Sequence, residues 1–179
     1  MKKYKIIYAD PPWSFKGYDL KKEARYVGNK YEVQNLEWIK NLNVNSISDN
    51  DCILFLWVTM PKLNEVMDVI KNWGFTYKTC GFTWIKKNKS WTNFWGMGRW
   101  TRANAELCLI ATKGKPKRIS ASVHSVIESV IERHSKKPNE AKKRIVELMG
   151  DLPRIELFAR EKTPGWDVWG NEVESDIIL

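Results

Sequence analysis

A glycine-rich phosphate loop is missing from this chain. Neither G-x-G-x-x-G nor G-x-x-x-x-G-K-[ST] occurs, which leaves nucleotide hydrolysis without its cradle. G-x-S-x-G is absent as well, and neither His124 nor His134 stands near a recognisable nucleophile, so serine-hydrolase chemistry has no support. Cysteine is scarce: Cys52, Cys80 and Cys108 sit in apolar, strand-like runs with no Cys-x-x-Cys pair, and they read as buried thiols. With only two histidines and no ligand spacing, no metal site is expected. No segment has the pattern of a signal peptide, and the longest apolar run, CILFLWV from Cys52 to Val58, is far too short to span a bilayer. The expectation is a soluble, cytoplasmic protein without a membrane partner.

Cations and indoles are what the chain has in excess. Its 179 residues fit one domain spanning 1–179 and suffice for a real core. Thirty Lys and Arg against 21 acids leave a net charge of +9, which favours an anionic partner such as nucleic acid. Ten Trp interleaved with those cations sharpen that reading, because unpaired bases stack on aromatic side chains. Apolar runs suited to buried strands fall at Lys5–Asp10, Cys52–Thr59, Tyr77–Ile85, Glu106–Thr112 and Arg154–Arg160, with a weaker one at Asp167–Trp169. Helical patterns lie between them at Pro61–Trp73, stopped by Gly74, and Pro138–Met149, stopped by Gly150. Alternating strands and helices predict an α/β sheet with helices on its faces and a ligand site beyond the carboxyl ends of the strands. Trp57, Trp73 and Trp84 fall within these patterns and read as core, with Trp84 also able to line a pocket.

Two stretches escape the pattern. Residues 14–35 are polar and lysine-rich. Residues 86–104, KKNKSWTNFWGMGRWTRAN, carry four Trp or Phe, five Lys or Arg and two Gly with neither period two nor period 3.6. A loop of that length and aromatic content reads as a nucleic-acid-binding segment, with Arg99, Trp100 and Arg102 as substrate contacts. The competing reading is a surface flap whose Trp residues pack on the domain's own sheet.

Chemistry concentrates in KIIYADPPWSF, Lys5–Phe15. Pro11 and Pro12 cannot continue a sheet ladder and hold Asp10 extended, so the strand stops in a rigid rim. That rim bears a carboxylate, carbonyls and the indole of Trp13, a suitable frame for a planar group with N–H donors. The exocyclic amine of a flipped adenine or cytosine is a poor nucleophile, because its lone pair is conjugated into the ring. Hydrogen bonds from that amine to Asp10 and the Pro11 carbonyl would pull the nitrogen toward tetrahedral geometry, with Trp13 or Tyr31 stacking on the ring. A sulfonium methyl in line with the nitrogen would complete the reaction through positioning and electrostatics.

DPPW, CILFLWVT, ELCLIATKGKP, HSKKPNE and RIELFARE followed by GWDVWGNE resemble, in this order, the MTA-seventy family of S-adenosylmethionine-dependent adenine N6-methyltransferases. The similarity runs from Lys5 to Glu172. It implies a Rossmann-like class I methyltransferase sheet with circularly permuted motif order, the catalytic motif preceding the cofactor-binding strand. By resemblance Asp10, Pro11, Pro12 and Trp13 are the catalytic signature, with Asp10 also beside the methionine part of S-adenosylmethionine. The same resemblance places Tyr31 on a gate near the target base, Lys113 on the cofactor carboxylate, Arg160 on its ribose, and Asn171 and Glu172 on ribose hydroxyls. Without it, Lys113 reads equally as a solvated charge among Lys115, Lys117 and Arg118, and His134 to Lys137 read as a helix cap. Glu106, at a strand entrance, is either a loop-organising carboxylate or a contact to the substrate ring.

The acidic and apolar pair that touches the cofactor adenine in longer family members has no counterpart before Asp10. The favoured function is methylation of adenine N6 in DNA, with RNA adenosine methylation or a catalytically silent nucleic-acid-binding subunit as rivals. An intact DPPW argues against the silent subunit. Monomer and homodimer are both open.

Overall fold

The computed structural model describes residues 2–14, 35–98, 100–132 and 136–179. Seven strands form one sheet: β1 (Tyr4–Ala9), β2 (Ser48–Val58), β3 (Thr76–Lys87), β4 (Glu106–Lys113), β5 (Val126–Val130), β6 (Arg154–Leu157) and β7 (Asp167–Trp169). Their spatial order is β5-β3-β4-β2-β1-β6-β7. All neighbours run parallel except β4, which lies antiparallel to both β2 and β3. The central strands are nearly continuous apolar runs because both faces are covered.

Alternation along β1 divides the core. Tyr4, Ile7 and Ala9 join one cluster with α1 (Leu36–Asn41) and α2 (Leu63–Asn72); Ile6 and Tyr8 join another with α3 (Asn139–Met149). Helices therefore pack on both faces, as the sequence pattern predicts. In α2, Val66, Val69 and Ile70 form the buried stripe, and Gly74 ends the segment in the left-handed region at φ 84°. Trp57, Trp73 and Trp84 are core residues, at most 4% exposed.

Three boundaries differ from the sequence reading. β5 has Glu128 and Ser129 inside a short apolar run and sits at the sheet edge, so its periodicity is weak. The short α1 emerges from the polar stretch, started by Asn35, whose side chain accepts the Trp38 backbone N–H at 2.7 Å. The predicted strand Arg154–Arg160 stops at Leu157 because Phe158 adopts φ 62°. Its ring is held there edge-on to Trp169, with centroids 5.4 Å apart. Among the described residues no helix is long and apolar enough to cross a membrane, and no cluster of metal-ligating side chains occurs.

Candidate active site

The carboxyl ends of β1, β2 and β6 meet the start of β4. Ala9 pairs with Leu56 and Leu157, while Val58 pairs with Leu107, so Asp10, Thr59, Glu106 and Phe158 all follow or precede paired residues at one edge. A single cation joins two of these groups. Lys137 Nζ lies 2.7 Å from Asp10 Oδ2 and 3.3 Å from Glu106 Oε2, and 5.7 Å from the centre of the Trp57 ring. Lys86 closes on the other oxygen of Glu106 and stands over the Trp84 ring. The order is therefore carboxylate, lysine, carboxylate, lysine, resting on two indoles that meet edge to face.

These neighbours move the acids apart. Burial pushes Asp10 up from the ordinary carboxylate range, with Lys137 and Arg160 opposing and Glu106 reinforcing the rise. Burial also works against Glu106, but Lys137 and Lys86 overcome it and hold that carboxyl below its usual value. Burial works against the charge on Lys137, yet the two acids raise its pKa and keep it protonated. Asp10 is thus the more basic carboxylate of the pair and Glu106 the more acidic.

The rim itself is anchored from beneath. Trp13 is 5% exposed, and its indole N–H donates to the Trp57 carbonyl at 3.0 Å. The indole that the sequence reading set against a substrate ring is here packed in the core, where it fixes the turn. Pro11's carbonyl accepts the Trp13 backbone N–H at 2.8 Å, which leaves it one lone pair. Trp84 is likewise corrected from pocket wall to support. It is 4% exposed, donates to Ser129 at 2.8 Å, and reaches the site only through Lys86.

Arg160 and Glu172 are brought together at 2.7 Å beyond the ends of β6 and β7. Gly170 makes this possible: a Cβ there would stand 2.2 Å from the Ala159 carbonyl oxygen. Arg160 also acts electrostatically on Asp10, which ties this pair to the rim. Asn171 is exposed between them in sequence.

Lys113 belongs elsewhere. It ends β4 opposite Cys52, near the beginning of β2, where its Nζ donates to Asn45 Oδ1 at 2.7 Å and Ser48 Oγ at 2.8 Å. Glu106 and Lys113 are opposite ends of one eight-residue strand, roughly 20 Å apart. Lys113 thus stands far from the sheet edge that carries Asp10. The antiparallel direction of β4 is the reason. Lys137, read from sequence as part of a helix cap, is the cation that Asp10 meets. Its sequence signal is HSKKPNE, in which a helix cap alone accounts for the residues. Glu106 pairs with both Lys86 and Lys137.

Tyr31 and Arg99 lie outside the described residues, as does the 14–35 stretch except Ser14 and Asn35. The other loop is an ordered flap. Asn104 accepts from the Lys86 N–H at 2.8 Å and donates to the Lys86 and Phe94 carbonyls at 3.1 and 2.6 Å. Its Trp side chains do not pack on the sheet: Trp91, Trp95 and Trp100 are 61%, 58% and 98% exposed. The flap grows directly from the site, since Lys86 and Glu106 flank its base.

A mixed α/β sheet that carries a recessed carboxylate flanked by cations at one edge is consistent with a methyltransferase fold. The chain matches MT-A70 over residues 4–172 and belongs to that family of N6-adenine methyltransferases. It is 35% identical to the type II methyltransferase M.MunI of Mycoplasma sp over 194 residues, covering 99% of this chain and 81% of that protein. It is also 28% identical to the N(6)-adenosine-methyltransferase catalytic subunit METTL3 of Homo sapiens over 182 residues, 99% of this chain but 29% of that protein. The Drosophila melanogaster MT-A70-like protein is 28% identical over 177 residues, 96% of this chain and 27% of that protein. Membership in the family implies use of S-adenosylmethionine.

Proposed function

We propose that this N6-adenine methyltransferase acts on DNA, and that Asp10 is the group that receives the target amine. The observation that carries the reading is the convergence of Asp10, Glu106, Lys137 and the Arg160–Glu172 pair at one sheet edge. The greater coverage and identity of the likeness to M.MunI supports DNA over RNA.

The residues fit S-adenosylmethionine by the chemistry of their donors. Lys137 would take its carboxylate in place of Lys113, Asp10 its amino group, and Glu172 with Asn171 its ribose hydroxyls, with Arg160 beside them. Thr59 Oγ1 is buried at this edge with no hydrogen-bond partner among the described residues, as expected where a bound group completes the set. When bound, the cofactor would supply an electrophilic methyl on a sulfonium, whose S–C bond breaks as the methyl is transferred so that the sulfur leaves as a neutral thioether.

Asp10 then does two things to the adenine. Its carboxylate and the remaining lone pair of the Pro11 carbonyl accept the two amine hydrogens, drawing the nitrogen lone pair out of conjugation toward the methyl. As the N–C bond forms, the nitrogen becomes more acidic and its surplus proton passes toward Asp10, whose burial-raised basicity suits a transient acceptor. Glu106 keeps Lys137 charged and in place. Arg102 and Lys89, both exposed, supply phosphate contacts on the flap, and Tyr31 and Arg99 belong with the substrate side. The adjacency of β1 and β6, remote in sequence but parallel neighbours in space, supports a permuted order in which the catalytic strand precedes the cofactor strand.

Labelled S-adenosylmethionine incubated with duplex DNA, single-stranded DNA or RNA tests the reading. N6-methyladenine in DNA is the expected product. Label confined to RNA, or found on cytosine, overturns it.

A further inference from the structure

The recess around Asp10 creates a geometric demand. Trp57, Lys137 and Glu106 crowd the carboxylate, whose side chain is 27% exposed, so an adenine stacked within a duplex cannot bring its amine there. The base must leave the helix, and its vacated place must be filled or the duplex will close. The flap offers one side chain suited to that task.

Residues 88–98 and 100–104 form two lobes. In the first, the Asn88 N–H donates to the Thr92 carbonyl at 2.8 Å and the Trp91 N–H to the Asn88 carbonyl at 2.9 Å. In the second, Gly96 and Ala103 exchange backbone hydrogen bonds at 2.7 and 3.2 Å. Gly98 lets the tip turn tightly, since a Cβ there would lie 1.9 Å from the Thr101 carbonyl oxygen. Trp100 stands on that tip at 98% exposure, whereas Trp91 and Trp95 retain roughly two-fifths of their surface against the flap. A large indole beside the Gly96–Ala103 pairing, with no shelter of its own, has the shape of an intercalating wedge. Arg102 beside it and Lys89 on the other lobe carry the charge that follows a phosphate backbone. Through Lys86, Glu106 and Lys137, ion pairs run from the base of the flap to Asp10.

We propose that Trp100 enters the duplex where the target adenine leaves and holds the gap open while that adenine occupies the Asp10 recess. The proposal rests on the DNA reading above. It makes Trp100 a positioning residue for duplex substrate, required in proportion to how firmly the target base is paired.

The test compares two short duplexes containing the site that sequencing of wild-type-methylated plasmid reveals. One pairs the target adenine with thymine; the other places an abasic site opposite it. Trp100→Ala should lower kcat/KM on the paired duplex by about tenfold or more, yet by less than about threefold on the abasic duplex. Trp100→Phe should keep most of the paired-duplex activity. With 2-aminopurine as the target base, the fluorescence rise on wild-type binding should shrink in the Ala variant. An equal loss on both duplexes, or no loss on either, overturns the wedge while wild-type turnover on duplex DNA leaves the DNA reading standing. A wild type that methylates only RNA overturns both.

Discussion

Two lysines mark the two ends of the sheet, and they differ in everything but charge. Lys137 meets two carboxylates and an indole at the carboxyl end of β1. Lys113, at the far end of β4, donates to a neutral amide and a hydroxyl. One end gathers partly buried, mutually shifted charges, which are costly to assemble and often mark reactive sites. The other end uses its cation as a staple between α1's following turn, β2 and β4. The direction of the strands, rather than the chemistry of the side chain, decides which lysine stands beside Asp10.

Removing the acid at the reactive end is the severest way to break the contrast. Asp10→Ala should reduce kcat by about a hundredfold or more, since it deletes both the amine acceptor and the proton acceptor. Single-turnover methylation measures this, and retention of over about a tenth of the wild-type rate would remove Asp10 from the mechanism.

Lys137→Met should weaken S-adenosylhomocysteine binding by about tenfold or more, as expected for a lost charge-assisted contact. It also changes the pH profile in a definite direction. Lys137 holds the Asp10 pKa down against burial, so its removal lets that pKa climb further. Activity that needs ionised Asp10 must then fail at a higher pH on the acidic side. Calorimetry and a pH–rate profile read the two effects; an acidic limb that stays put or moves lower contradicts the pairing.

A smaller effect belongs to the flap. Neutralising Arg99 and Arg102 should flatten the log–log salt dependence of DNA binding by roughly 0.7 to 0.9 for each lost phosphate contact. Cofactor affinity should stay unchanged. Equal slopes for variant and wild type would deny the flap its phosphate contacts.

Lys113→Ala sharpens the comparison from the quiet end. Methylation and cofactor binding should stay within about twofold of wild type, while the lost hydrogen bonds cost about 1 kcal/mol of stability. Thermal unfolding and turnover measured together distinguish this staple from a cofactor ligand, for which the loss would appear in binding instead.

Much of the scaffold could be read directly. The strand of Asp10 ends where two prolines forbid its continuation, and the apolar runs of β2 and β4 announce strands covered on both sides. Less legible were elements whose local signal is weak: β5, with polar residues in a short edge strand, and the short helix α1. Trp13 and Trp84 show a different limit. An indole in a motif has the same composition whether it faces a substrate or the core, and only the neighbours at Trp57 and Ser129 reveal the latter.

From sequence alone came the family's ordered motifs, the strand-ending Asp10, the basic and aromatic flap, and an α/β sheet, because these depend on residue type, spacing and local backbone restriction. Tertiary structure alone brought Lys137 rather than Lys113 to Asp10, paired Arg160 with Glu172, sank Trp13 and Trp84 into the core and left Trp100 in solvent. Those outcomes depend on strand direction and on which remote segments share an edge of the sheet. Electrostatic attraction falls with distance in space, and Lys137 is 127 residues from Asp10 along the chain but 2.7 Å away in the fold.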